Sequence, residues 1–285
     1  MNVIECHALI KNHGSRKALN NLSLTITENK ITGLIGRNGA GKTTLLKIIA
    51  GYWRETAGEV KVFSNKPFNN LSVSANTIFI DDQMNFPTAL TLKQVLEEAG
   101  NFYPNWDMEL ALKLFNYFSF DSRQVHNNLS KGNKSTFNMI VGISAHCPLT
   151  IFDEPTTGMD AAVRKDFYRA LLKDYLAHPR SIILSSHYLD EIEDLLEDVI
   201  LIENGEKYFH TPIEELKETA IGLSGDKEII TGLVADQDVL YRTNGEGNHS
   251  YSVVLKKDLS SKQIEKLRDS GVEYHQYHQT ICACT

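Results

Sequence analysis

Between Gly36 and Thr43 the chain reads Gly-Arg-Asn-Gly-Ala-Gly-Lys-Thr, which fits G-x-x-x-x-G-K-[S/T]. No other stretch narrows the possible folds as much, because such a loop needs a strand before it and a helix after it. Ile31–Gly36 is a short apolar run that reads as a buried strand, and Lys42–Tyr52 has helical composition. Glycines let the backbone curl so that successive N–H groups point inward at phosphate oxygens. The following helix adds its positive N-terminal end. Gly36, Asn38, Gly39, Ala40 and Gly41 are therefore expected to cradle phosphate through the backbone. Lys42 is expected to reach the β- and γ-phosphates as a point charge, Thr43 to ligate Mg²⁺, and Thr44 to bond the α-phosphate. In a chain of 285 residues the pattern arises by chance about once in a hundred.

Composition narrows the class further. With 42% hydrophobic and 23% charged residues, a buried core is easily supplied. No apolar run approaches the roughly 18 to 20 residues that span a bilayer, so the chain alone is no membrane channel or carrier. The start, MNVIECHALIKNHG, lacks the basic and apolar regions of a secretory signal. A net charge of −7 argues against a sequence-tolerant nucleic-acid binder. Cys6, Cys147, Cys282 and Cys284 read as reduced thiols, and the single Cys282-Ala283-Cys284 pair supplies too few ligands for a metal site.

Along the chain, strands are expected at 2–10, 22–28, 59–63 and 77–80, followed by a helical stretch from Thr91 to Cys147. Strand and helix then alternate: 149–153, 159–176, 181–186, 188–197 and 198–203, with a hairpin at Asn204-Gly205 and a short helix at 212–219. Alternation of this length predicts βαβ units and an α/β fold with a mostly parallel sheet. The acidic helix expected around 190–198 reads as a solvated face. A boundary is expected near 220–226, separating residues 1–220 from a small α+β unit over 221–285. Its order, with a strand at 227–231 and a helix at 259–270, would be βαββαβ, a ferredoxin-like arrangement.

Four further stretches bear on chemistry. Leu149–Glu154 is an apolar strand ending in two carboxylates. Asp153 is suited to Mg²⁺ and Glu154 to polarising an attacking water, although solvated acids capping a strand look the same in sequence. Ser130 and Gly132, in Leu-Ser-Lys-Gly-Asn, open a helix that either is simply capped or forms a second anion site. His187 follows the strand 181–186 and Gln83 follows 77–80, at the edge of a parallel sheet where ligands bind.

Taken in order, these pieces resemble the nucleotide-binding subunit of ABC transporters over about residues 3–219. GRNGAGKT (36–43) is similar to the Walker A motif, Gln83 to the Q-loop, LSKGN (129–133) to the signature, LTIFDE (149–154) to Walker B, Thr157–Asp160 to the D-loop and His187 to the switch histidine. Within the family the chain looks most like ABC-2-type exporter ATPases of Gram-positive bacteria. The resemblance implies a P-loop NTPase core with an antiparallel β subdomain and a helical subdomain at about 88–147. It implies ATP and Mg²⁺ as cofactors, with Glu154, His187 and Gln83 as catalytic residues and Thr43, Gln83 and Asp153 around the metal. It further implies a second ATPase subunit whose Ser130 and Gly132 close the ATP site, an integral membrane permease, and a place on the cytoplasmic face of the membrane.

Departures from the family pattern are visible. Lys131 and Asn133 replace the commonest signature residues, and His13 stands where a tyrosine usually stacks on adenine. The Q-loop register lies at Asp82 or Gln83. Two competing readings are a soluble ABC-type ATPase acting on ribosomes or nucleic acid, and a P-loop kinase. The single cassette, the absence of long heptads and the acidic balance disfavour the first, while LSKGN and His187 disfavour the second.

Overall fold

The computed structural model describes residues 1–189, 191–233, 239–244, 251–256 and 270–276. It opens with strands β1 (Asn2–His13) and β2 (Arg16–Thr27), paired antiparallel around Gly14-Ser15. These strands outrun the expected 2–10 and 22–28, because backbone pairing carries on through a mostly polar stretch where apolar alternation gives no signal. β3 (Ile31–Ile35) is buried at every position and feeds the phosphate loop into α1 (Lys42–Ile49). β4 (Ala57–Val62) returns to β1, completing an antiparallel sheet of order β2-β1-β4.

After the short helix α2 (Leu71–Ala75), β5 (Thr77–Ile80) enters a second sheet. Three helices follow: α3 (Leu92–Phe102), α4 (Met108–Tyr117) and α5 (Lys131–Ser144). Each starts on a side chain that accepts a backbone N–H: Thr91 in a capping box with Gln94, then Asp107, then Ser130. β6 (Leu149–Asp153), α6 (Ala161–Ala177), β7 (Ser181–Ser186), β8 (Asp198–Glu203) and β9 (Glu206–Pro212) complete the core. The second sheet runs β5-β6-β7-β3-β8-β9, parallel except for β9. β6 and β7 are buried along their whole length. Their near-continuous apolar runs fit a parallel sheet covered on both faces.

Two expectations fail here. The described residues of 188–197 form no helix beyond a 3-10 turn at Glu193–Leu195. Leu189, Ile192, Leu195 and Leu196 all turn inward, while the exposed Glu197 accepts from Tyr175 Oη (2.5 Å) and the Ile31 amide (3.3 Å). The acidic stretch is a solvated face only in part: Asp194 and Glu197 are exposed, whereas Glu193 and Asp198 are buried, and Asp198 pairs with Lys30 at 2.8 Å. Residues 227–231, expected as a strand, lie instead in the helix α8 (Lys227–Leu233), which follows α7 (Ile213–Thr219). Asp226 starts it, its Oδ1 accepting from the amides of Glu228 (2.8 Å) and Ile229 (3.2 Å).

The first strand of the last sheet is thus β10 (Ala220–Gly225), joined by β11 (Val239–Asn244), β12 (Tyr251–Lys256) and β13 (Glu273–Gln276). Neighbours are antiparallel in the order β11-β12-β10-β13, the interleaving that a βαββαβ chain produces. The turn after Asn244, nearly all of the helix expected over 259–270, and Cys282 and Cys284 lie outside the described residues. Among the described residues no helix is long and apolar enough to cross a membrane.

Apolar side chains fill both sides of the parallel sheet. On the helical side Phe137 of α5 is fully buried, its ring 5.7 Å from those of Phe86 and Phe120 and 6.4 Å from Phe115. Phe137→Ala is expected to destabilise the fold by about 3–5 kcal/mol. Urea melts monitored by circular dichroism should show the midpoint falling with an unchanged slope; a shift worth under about 1 kcal/mol would contradict this packing.

Candidate nucleotide site

The phosphate loop is fixed from below by its neighbours. Ala40 O accepts from Gly205 N at 2.8 Å, and Gly205 O accepts from Asn20 N at 2.8 Å. Arg16 donates to Gly39 O at 3.3 Å. Gly41 precedes α1 with φ of 112°, and a Cβ there would lie 2.6 Å from Ala18 O, so the position requires glycine on both counts.

Lys42 is 4% exposed, yet its ammonium is well partnered. Nζ donates to Gly36 O at 2.5 Å and Arg37 O at 3.4 Å, and lies 3.2 Å from Glu154 Oε1. The other Glu154 oxygen lies 3.4 Å from His187 Nδ1, a contact of charge and proximity whose angles do not make a hydrogen bond. Glu154 itself adopts a left-handed backbone with φ of 45°, rare for a residue with a side chain. It is held there by its amide on Ser185 Oγ (2.9 Å) and its carbonyl on Thr157 Oγ1 (2.8 Å). Ser185 Oγ also donates to Asp153 Oδ1 at 2.5 Å. Burial raises the Asp153 carboxyl above its ordinary value, against hydrogen bonds from Ser185 and Thr43 that pull it back.

A cleft of about 450 Å³ opens over this group. Asn38, Gly39, Gly41, Lys42, Thr43, Thr44, Glu154 and His13 line it, together with Arg16 and Trp53, which sequence reasoning missed. His13 is exposed and braced edge-on against Trp53, ring centroids 4.9 Å apart, so the aromatic surface at the cleft mouth belongs to two residues. A tryptophan shortly after α1 was the one available signal for it.

Gln83 is not brought to this cleft. Its amide donates to Asp82 Oδ1 at 3.0 Å, and it lines a separate hollow of about 510 Å³ beside the Lys47–Asp81 ion pair (3.2 Å). A place for Gln83 near the metal or in catalysis therefore has no support from this conformation. Ser130 and Gly132 do not line the cleft of their own chain either. Ser130 Oγ accepts from Asn133 N at 3.2 Å and is exposed. A Cβ on Gly132 would sit 2.4 Å from Gly158 O, so that helix start is pressed against the turn that follows Glu154. Ser135 Oγ donates to Thr157 O at 2.9 Å, tying the same two segments.

Comparison with known proteins agrees with this geometry. The family described as ABC transporter matches residues 19–157. The ABC transporter ATP-binding protein YtrB of Bacillus subtilis is 30% identical over 219 residues, which cover 77% of this chain and 75% of that one. The bacitracin transport ATP-binding protein BcrA of Bacillus licheniformis is 27% identical over 220 residues, 76% of this chain and 72% of that one. In fold, the chain is similar to a dimeric, post-hydrolysis ATP-binding cassette bound to ADP and Pi, with a TM-score of 0.64, 20% identity, and coverage of 74% of this chain and 98% of that one. The chain belongs to the ATP-binding proteins of the ABC transporter family.

Proposed function

We propose that this ATPase powers an exporter, working as one of two cassettes that clasp ATP between them on the cytoplasmic face of a membrane permease. The observation that carries the reading is the convergence on Glu154, at the edge of the cleft behind a glycine-rich loop: one of its oxygens lies 3.2 Å from Lys42 Nζ and the other 3.4 Å from His187 Nδ1. In this conformation the Lys42 ammonium and the Glu154 carboxylate neutralise each other. A triphosphate entering the loop offers Lys42 stronger acceptors in its β- and γ-oxygens. The carboxylate is then free to polarise water for attack on the γ-phosphorus and to take its proton. His187, already beside Glu154, is placed to donate to the γ-phosphate.

Thr43 and Asp153 fit Mg²⁺ by their chemistry, a hydroxyl and a buried carboxylate bonded to each other, both hard oxygen donors. Bound there, the ion would neutralise phosphate charge. His13, with Trp53 behind it, offers a face for the adenine. Within one chain the exposed Ser130 and half-buried Gly132 face away from the ATP cleft, which supports their closing the site of a second copy. Each charge-assisted bond so gained contributes about 1.5–3 kcal/mol. Nucleotide would thereby hold the two cassettes together, and hydrolysis would release them. Export is favoured by the bacitracin transport relative.

Glu154→Gln is expected to lower ATP turnover by roughly 10²- to 10⁴-fold with ATP affinity retained, because the base is lost while the phosphate contacts remain. Unchanged turnover in a phosphate-release assay would remove Glu154 from that role. Lys42→Ala is expected to weaken ATP binding by at least about 100-fold, from two lost charge-assisted bonds. Calorimetry showing near-native affinity would contradict the phosphate assignment. Detergent extracts from cells with tagged protein should yield an integral membrane subunit. Recovery with ribosomes or DNA would instead favour a soluble ATPase of the same family.

A further inference from the structure

Among the described residues one group of histidine and carboxylate side chains has metal-ligand spacing: His146, Asp174 and His178, whose ligand atoms all lie within 4.8 Å of one another. They sit far from the nucleotide cleft. His146 follows α5 and precedes the start of β6, whereas Asp153 and Glu154 mark the other end of that strand. Asp174 and His178 share one face of α6 at i and i+4.

The geometry is partly assembled. Asp174 Oδ1 lies 2.9 Å from His146 Nε2 and 3.3 Å from His178 Nδ1. A tetrahedral ion with bonds near 2.1 Å holds its ligand atoms about 3.4 Å apart, so small adjustments suffice. The second carboxylate oxygen is ion-paired with Arg180, whose Nη1 is 2.8 Å away in a contact of charge and proximity, and whose guanidinium donates to the Ile143 and His178 carbonyls. Arg180 thus fixes the carboxylate with Oδ1 turned toward the two imidazoles, the outer-shell support that ligating carboxylates receive in metal sites. Asp174 is 4% exposed, His146 11% and His178 56%, so the site would be anchored inside and open at its outer edge. The half-exposed His178 leaves the outer side of the group open to water as a fourth ligand. His146 holds a left-handed backbone with φ of 44°, which directs its ring toward α6 at the expense of local strain.

We propose that His146, Asp174 and His178 bind a divalent transition metal, zinc by choice of ligands, and thereby join the C-terminal ends of α5 and α6. Two imidazoles and one carboxylate suit a borderline ion and not Mg²⁺ or Ca²⁺, which prefer all-oxygen shells. The ion would take the lone pair of Nε2, with the ring proton of the neutral imidazole carried on Nδ1. The nearby Arg180 charge opposes the cation, which sets the affinity below that of closed structural sites.

The test uses the full chain, stripped with chelator and free of nucleotide and Mg²⁺, titrated with zinc chloride. One ion per chain is expected, with the melting temperature raised by about 3–6 °C at saturation. His178→Ala changes a half-exposed ligand and is expected to fold normally while weakening zinc binding at least about 10-fold. His146→Gln should do the same. Cobalt in place of zinc should give visible bands of a tetrahedral site without thiolate charge-transfer bands, which separates this cluster from the cysteines. No binding, binding unchanged in His178→Ala, or a thiolate spectrum would overturn the proposal.

Discussion

Everything near the nucleotide cleft depends on a buried ammonium. Lys42 begins a helix packed beneath a sheet, with 4% of its surface exposed, where an isolated charge would be several kcal/mol too costly. The phosphate loop resolves this by turning the Gly36 and Arg37 carbonyls onto Nζ from one side while Glu154 supplies the countercharge from the other. The same loop points amides outward for phosphate because Gly41 takes a conformation that side-chain-bearing residues avoid. Loop shape, lysine burial and the placing of the carboxylate are one problem with one solution. The Lys42–Glu154 pair is also what a triphosphate must replace, so binding and activation of the base become a single exchange of partners.

Glu154 links that exchange to more distant parts. Its left-handed backbone places the following turn so that the Thr157 hydroxyl returns to its carbonyl, Gly158 meets Gly132, and Thr157 O meets Ser135. The start of α5, where a second cassette would be engaged, therefore touches the segment that shapes the carboxylate. A change of partner at Glu154 and a change at Ser130 act on the same few contacts, the kind of shared packed element through which sites couple.

Much of this was legible in the sequence for a physical reason. The phosphate loop, the apolar run 149–153 with its two acids, and the serine-capped start of α5 are local devices: backbone conformation, strand burial and helix capping each leave a signal within a few residues. His187 was legible because a parallel sheet brings strand ends to one edge. What escaped notice was non-local or ambiguous. Arg16 and Trp53 reach the cleft only because the β1–β2 hairpin and the chain after α1 fold over the loop. Ser185 holds both catalytic-strand carboxylate residues, but in sequence it is one more serine at a strand end. Residues 188–197 carried helix-like apolar spacing, but Leu189, Ile192, Leu195 and Leu196 are buried with only a 3-10 turn at Glu193–Leu195 among them. Asp226, directly after Gly225 at the boundary, was the cap that distinguished α8 from a strand.

The His146–Asp174–His178 group shows the same divide from the other side. Asp174 and His178 lie four residues apart, ordinary for an exposed helix face, and His146 is 28 residues away from Asp174. Nothing in the sequence joins them; the packing of α5 on α6 does. That packing also buries Arg180, whose charge needs a carboxylate, and Asp174 answers it. Burial raises the Asp174 carboxyl, yet the His146 hydrogen bond and the Arg180 charge outweigh that, leaving it below the ordinary carboxylate value. The carboxylate is thus an anion over the whole physiological range, with one oxygen ion-paired with a guanidinium and the other within hydrogen-bond distance of two imidazole nitrogens. A cation at that oxygen would replace both hydrogen bonds, with a lone pair of each ring turned to the metal and the guanidinium left to hold the carboxylate from behind.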